Sequence, residues 1–164
     1  MTDAGDLRSH LQRVLRHLQW ADENTFPGLQ AAGAPATAQE RFMHVIAAEH
    51  VWLVRIRGQP QRFPVWPPFT ADGCRALLEE NHRGYAALLD GPDGAALQRE
   101  ITYTTSDGRK FTNTVADILQ HVALHGSWHR GQIAMLLRQA GLQPFSSDYI
   151  AHVRGGATAR TERK

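Results

Sequence analysis

Cysteine is almost absent from this sequence: Cys74 is the single one among 164 residues. One thiol excludes an internal disulfide and any metal knot built on several thiolates, and it suits a reducing compartment. Its setting, "DGCRALLEEN", is a helix start, where a small buried side chain rather than a nucleophile is expected. Long apolar runs are missing as well. Nothing approaches the roughly 20 consecutive apolar residues of a membrane span, and "MTDAGDLRSHLQRVLRHLQ" scatters charge where a secretory leader would be apolar. A cytoplasmic chain without membrane attachment is the expectation. An excess of one charge sign is lacking too: the formal net charge is +2, and much of the basic surplus lies in the terminal "RGGATARTERK". Nucleic-acid binding needs a concentrated basic face. None is visible, so a nucleic-acid partner is not expected.

What is present is an ordinary globular balance, with 42% hydrophobic and 21% charged residues. The length suits one domain with a proper core, placed over 1–153, followed by a disordered basic tail over 154–164. Leu7, Leu11, Val14, Leu15 and Leu18 recur at helical spacing and predict an amphipathic helix over 6–26, ended by Pro27 and Gly28. Thr37 followed by Glu40 reads as a capping box ahead of "RFMHVIAAEHVWLVRI", a helix so apolar that it belongs at the centre. "QPQRFPVWPPF" crowds four prolines together and must be a loop, whose Phe63, Trp66 and Phe69 are expected to cover the core's end rather than line a pocket mouth. A third helix follows over 72–89. Ile101 and Tyr103 alternate with polar neighbours, and Asp107-Gly108 reads as a two-residue hairpin turn. Thr114 with Asp117 opens a long helix that runs to 139 or 140 and stops at Gly141, and "SDYIAHV" supplies a last short turn. The pattern is all-α: an up-down four-helix bundle with a long crossover connection and a small hairpin before the last long helix.

That last long helix contains "HVALHGSWHRGQ", with histidines at 121, 125 and 129. At about 100 degrees per residue, Val115, Ile118, Val122, Ile133, Leu136 and Ala140 fall within roughly 60 degrees of one another and form the core stripe. His129 lies inside the stripe, His125 about 40 degrees from it, and His121 about another 40 degrees toward the edge. Two imidazoles at i and i+4 project side by side, so their nitrogens can converge on one transition-metal ion. A further ligand has to come from another helix. The apolar second helix offers His44 and His50, and its wheel does not choose between them. His10, His17 and His82 lie near charged residues and read as surface or edge positions. Leu124, Trp128 and Met135 make a second apolar line, about 100 to 140 degrees round from the stripe, which suits a homodimer contact.

"ILQHVALHGSWHRGQIAMLLRQAG" resembles the signature of the DinB-like proteins, the DinB/YfiT superfamily of bacterial four-helix bundles. "LQRVLRHLQWADENTF", "MHVIAAEHVWLVRIRG", "ITYTTSDGRKFTNTVADIL" and "SSDYIAHV" are similar to its other segments, so the resemblance covers nearly everything except the proline-rich loop and the tail. The resemblance implies a metal-binding triad of His44, which precedes Trp52 by eight residues, with His125 and His129, and leaves His50 a bystander. Zinc or nickel suits three nitrogen ligands, with a coordination position left open. The resemblance further implies an enzyme acting on a small-molecule substrate, either a transferase or isomerase that uses a low-molecular-weight thiol or a hydrolase. Its alternative is a non-catalytic, dimeric, DNA-damage-inducible stress protein. Induction by damage describes when a protein is made, not what it touches. No catalytic acid or base is assigned. Glu49 lies about 140 degrees around its helix from His44, which gives it a supporting role. Gln132 lies on the His125 side and is the candidate to support a ligand or touch substrate, while Arg130 points away and is expected to tie helices together.

Overall fold

The computed structural model describes residues 4–90, 95–105 and 107–155. Helix α1 spans Ala4–Leu29, α2 Ala36–Ile56, α3 Ala71–Leu89, α4 Ala95–Gln98, α5 Val115–Gln139 and α6 Tyr149–Val153. Strands β1 (Glu100–Thr104) and β2 (Lys110–Thr114) pair antiparallel just before α5. The described chain is mostly helical, with one two-stranded sheet. α2 packs chiefly on α5 and α3, α1 packs on the same two, and α1 and α2 touch only lightly although they are consecutive. No described helix is long and apolar enough to cross a membrane. Of the expected tail, residues 156–164 lie outside the described residues, as do residues 91–94 of the "DGPDG" stop.

Helix ends follow local chemistry in some places and not in others. Thr114 caps α5 as expected: its Oγ1 accepts from the Asp117 amide at 3.1 Å and donates to the Asp117 carboxylate at 2.7 Å. Thr70 caps α3 by accepting from the Gly73 amide at 3.2 Å. Two boundaries depart from expectation. α1 does not end before Pro27 but carries it within the helix to Leu29. A proline in the last turn has little helix left to break, and Phe26 and Leu29, 2% and 0% exposed, hold that turn against the core. Nor does Thr37 cap α2, because Pro35 is the N-cap and no side chain bonds there. With φ preset at −61° at Pro35 the chain turns helical at Ala36, and Thr37 is already inside the first turn.

The hairpin turn is also longer than two residues. Thr104 pairs with Lys110, and the Thr105 amide donates to the Arg109 carbonyl at 2.9 Å. A tight two-residue type I′ turn needs positive φ at both central positions. Among the described residues of this turn only Gly108, at φ 84°, has it. The proline-rich loop between α2 and α3 is pinned by Arg62, whose Nη2 donates to both Glu80 oxygens at 2.6 and 2.7 Å and whose Nε donates to His50 Nε2 at 3.1 Å. Phe69 packs against the core, whereas Phe63 and Trp66 remain 37% and 55% exposed. Covering the core is therefore the role of Phe69 alone among the three aromatics.

The buried apolar side chains fall into two clusters, one around Leu11, Leu18, Leu53, Tyr85 and Ile118, the other around Phe26, Phe42, Ile46, Leu78 and Ile133. Along each long helix a buried polar residue separates them: Asp22 on α1, Glu49 on α2, Asn81 on α3 and Arg130 on α5. Arg130 Nη1 donates to Asp22 Oδ1 at 2.6 Å, with 1% and 0% of the two side chains exposed. Gly126 makes room for this, since a Cβ there would lie 2.8 Å from Arg130 Nη1. Asn81 Nδ2 donates to the Ile46 carbonyl at 2.8 Å, and the Tyr85 hydroxyl donates to the Glu49 carbonyl at 2.6 Å. As an ionised carboxylate Glu49 would have no donor for either oxygen. Burial, then the neighbouring Asp22 charge, push its carboxyl well above the ordinary 4.5, which holds it as a neutral acid.

This layer makes two substitutions behave differently in urea denaturation. Arg130→Met leaves the buried Asp22 carboxylate without its guanidinium, with His82 at 3.4 Å as its remaining polar neighbour, and should cost about 3–5 kcal/mol. Glu49→Gln replaces a neutral acid by a neutral amide and should cost under about 1 kcal/mol near pH 5. The Glu49 pKa is raised in the folded state, so its stabilising contribution is complete below the ordinary 4.5 and is lost as pH rises through the folded value. The Gln variant should lack that loss and gain on wild type toward alkaline pH.

Candidate metal centre

His44 on α2 and His125 and His129 on α5 bring one ring nitrogen each within 4.8 Å of the others, a group that could hold a metal ion. Ring centroids are separated by 5.2 Å for His44 and His125, 4.8 Å for His44 and His129, and 4.5 Å for His125 and His129. His44 and His129 are buried and His125 is half-buried. The contact between α2 and α5 creates the juxtaposition: α5 contributes two rings one turn apart, and α2 brings the third across the helix interface.

Hydrogen bonds decide which nitrogens are free. His44 Nδ1 lies 2.8 Å from the Val65 carbonyl oxygen, which can only accept, so Nδ1 carries the proton and the Nε2 lone pair is available. A relay sets the other ring. Arg41 Nη1 donates to Gln132 Oε1 at 2.7 Å, which orients the amide with its oxygen inward. That same oxygen lies 3.0 Å from His129 Nδ1 and accepts a hydrogen bond from it, which keeps the proton on Nδ1 and again leaves the Nε2 lone pair available. Trp66 from the proline-rich loop stacks on the face of His44, with centroids 3.8 Å apart and planes 8° from parallel. A ligand atom binds in the plane of an imidazole, not on its face, so the indole walls the site without closing it.

The rings are kept neutral. Burial, followed by the charge that His129, His44 and His121 would add, lowers His125 to about 4. Burial also lowers His44, partly opposed by the Val65 hydrogen bond, and Arg41 lowers it further. His129 is lowered by burial and then by His44, with Gln132 opposing. Neutral imidazoles are the form that donates lone pairs to a cation.

The remaining histidines lie elsewhere. His121 is exposed against Trp52, at 5.2 Å between centroids, and His10 is exposed. His50 is buried away from the triad, bonded to Asn81 at 3.2 Å and Arg62 at 3.1 Å. His17 is buried rather than at the surface or edge, whereas His82 is half-buried at an edge. His17 is 6% exposed and bonds the Ser147 carbonyl at 2.8 Å; His82, with 8% of its side chain exposed, lies 3.4 Å from Asp22. Their charged sequence neighbours point outward while long-range partners cover the rings. Cys74 is buried, and desolvation pushes its thiol up to about 12, which removes it as a nucleophile. Arg41 and Val65 escaped the sequence reading, and Trp66, expected to cover the core's end rather than line a pocket mouth, instead lies against His44. Arg41 stands three residues before His44 on one helix face, a spacing that could have revealed it. Val65 and Trp66 reach the site by a loop path that no periodicity encodes.

Comparison with known proteins gives a consistent picture. The family model described as DinB family matches residues 6–160, which takes in all three histidines and extends past residue 153 into the expected tail. Protein DinB of Bacillus subtilis (strain 168) is 50% identical over 36 residues, covering 22% of this chain and 21% of that protein. The chain thus matches about a fifth of the length of that curated relative.

The relay through Gln132 can be tested separately from the ligands. Gln132→Leu removes the acceptor for His129 Nδ1, and zinc affinity measured by competition with a chromophoric chelator should fall roughly 10–100-fold, with the circular dichroism spectrum unchanged.

Proposed function

We propose that this chain, which belongs to the DinB family, is a metal-dependent enzyme using His44, His125 and His129 to hold a divalent zinc or nickel ion at which a low-molecular-weight thiol is activated for transfer or isomerisation. In this reading the four long helices form an up-down four-helix bundle that carries the site between α2 and α5. The observation that carries it is the convergence of three neutral imidazoles with no carboxylate in the described cluster. When bound there, a divalent cation supplies Lewis acidity, holding a thiol as thiolate or lowering the pKa of a water. Hydrolysis also calls for a group to manage protons beside the cation. Glu49, the buried acid of α2, is instead committed to the Asp22 layer. A thiol held as thiolate needs no such base, which favours transfer over hydrolysis.

The chain's own residues would do the rest. The Val65 carbonyl and Gln132 hold two rings with Nε2 presented. Trp66 against His44 and Trp128 beside His129, 4.9 Å between centroids, flank the approach with apolar surface where a small-molecule substrate would lie. A homodimer is a second element of the proposal. Leu124, Trp128 and Met135 leave 62%, 66% and 51% of their surface exposed along α5, more apolar surface than a solvated helix face usually shows.

Metal analysis of untagged protein should find a bound divalent ion in wild type. His129→Ala should lose most of it while keeping its helical circular dichroism, because the apolar clusters do not depend on the ion. Cobalt-substituted wild type should develop a thiolate charge-transfer band when a thiol is added. A spectrum indifferent to every thiol would show a closed, bracing ion and sink the enzymatic reading. For the dimer, light scattering should give twice the chain mass for wild type and the chain mass for a Leu124→Glu, Met135→Glu double variant.

A further inference from the structure

Arg41 is a partly buried cation whose charge nothing in the described protein answers. Other guanidiniums packed into the described protein do meet charge or an aromatic face: buried Arg130 pairs with Asp22, and half-buried Arg55 lies over Trp52 and Tyr103. Arg41 makes no ion pair among the described residues. Its one hydrogen bond there, from Nη1, goes to the neutral Gln132 oxygen, and its Nε is buried without an acceptor. Holding a partly buried guanidinium without a countercharge is costly.

Its position makes the cost larger when the site is filled. Arg41 is three residues before His44, and it is joined through one shared oxygen to His129 Nδ1. Three neutral imidazoles leave a divalent cation its full charge. That charge and the guanidinium would then share one partly dehydrated pocket with no carboxylate in its cluster. A single thiolate offsets only part of the sum. A second negative group on the same ligand would offset more of it, and a guanidinium prefers a planar carboxylate, which it meets with two parallel N–H donors.

We infer that Arg41 is a specificity-determining anchor for a carboxylate on the ligand that fills the open side of the three-histidine centre, so that the site selects small thiols bearing a carboxylate over neutral or cationic ones. The inference rests on the reading of that centre as an open metal site. It assigns Arg41 a binding role, with Gln132 serving both the guanidinium and the ligand ring.

The test uses full-length, cobalt-loaded protein titrated with 3-mercaptopropionate, 2-mercaptoethanol and cysteamine, each dissociation constant read from the thiolate charge-transfer band. Wild type should bind 3-mercaptopropionate about tenfold or more tightly than 2-mercaptoethanol, with cysteamine weakest. Arg41→Gln should bring the 3-mercaptopropionate and 2-mercaptoethanol dissociation constants to within about twofold of each other, whatever its effect on their common level, and Arg41→Lys should restore part of the preference. The cobalt spectrum of each variant before thiol addition checks that the ligand set is intact. Equal binding of the three thiols by wild type would overturn the inference while leaving the open-site reading standing. So would a preference that survives in Arg41→Gln, because the carboxylate would then be chelating the cobalt itself. Failure of every thiol to bind would remove both.

Discussion

A guanidinium cannot be buried in an apolar core unless charge meets it there, and that requirement organises this molecule. Arg130 meets Asp22 across the interior, from α5 to α1, with Glu49 held as a neutral acid beside the pair. The polar layer takes one residue from each long helix and lies between two apolar clusters, which could otherwise tolerate several rotations or slides of one helix on another. Pairing one donor with one acceptor removes that tolerance. Arg130 directly follows His129 in the chain, so fixing the direction of the guanidinium toward α1 also fixes the direction of the imidazole toward α2. The structural half and the chemical half of "HGSWHRGQ" are the two sides of a single helix, and Gly126 belongs to the structural half.

The three-histidine group inherits this order but is built on the opposite principle. The interior layer satisfies charge with charge, whereas the three histidines are kept neutral, and on two of them the outer nitrogen is occupied by a group that leaves the inner one free. A carbonyl does this for His44 and an amide for His129. His125 has no such partner among the described hydrogen bonds, and its pKa is nonetheless depressed to about 4 by burial and by its neighbours. Neutrality therefore comes from the surroundings of the group as a whole, while ring orientation comes from specific contacts on two of the three.

Much of this was legible in the residues because the signals were local. The Thr114 cap, the inward turn of His125 and His129 and the outward turn of His121 all follow from spacing along one helix. Errors arose where a distant segment decided the outcome. Pro27 stays helical because Phe26 and Leu29 are buried, and His17 is covered by the Ser147 segment, 130 residues away in sequence. Spacing on α2 alone left His44 and His50 equivalent; the family resemblance singled out His44, and in the structure it is His44 that joins the α5 pair while His50 bonds to Asn81 and Arg62. The loop contribution was the least legible, because proline-rich segments announce only that a helix has ended.

That loop carries a consequence for how such chains can diverge. Its path is tied at one point by Arg62 to Glu80 and at another by the Val65 carbonyl on His44, with Trp66 laid flat on the same ring. An insertion or deletion between these ties would leave every ligand in place and still release one imidazole to rotate and exchange tautomers. Surface segments are where homologous chains usually vary freely in length. Here the stretch from 62 to 66 should tolerate changes in side chains far better than changes in spacing, because its backbone carbonyl fixes the orientation of the His44 ring.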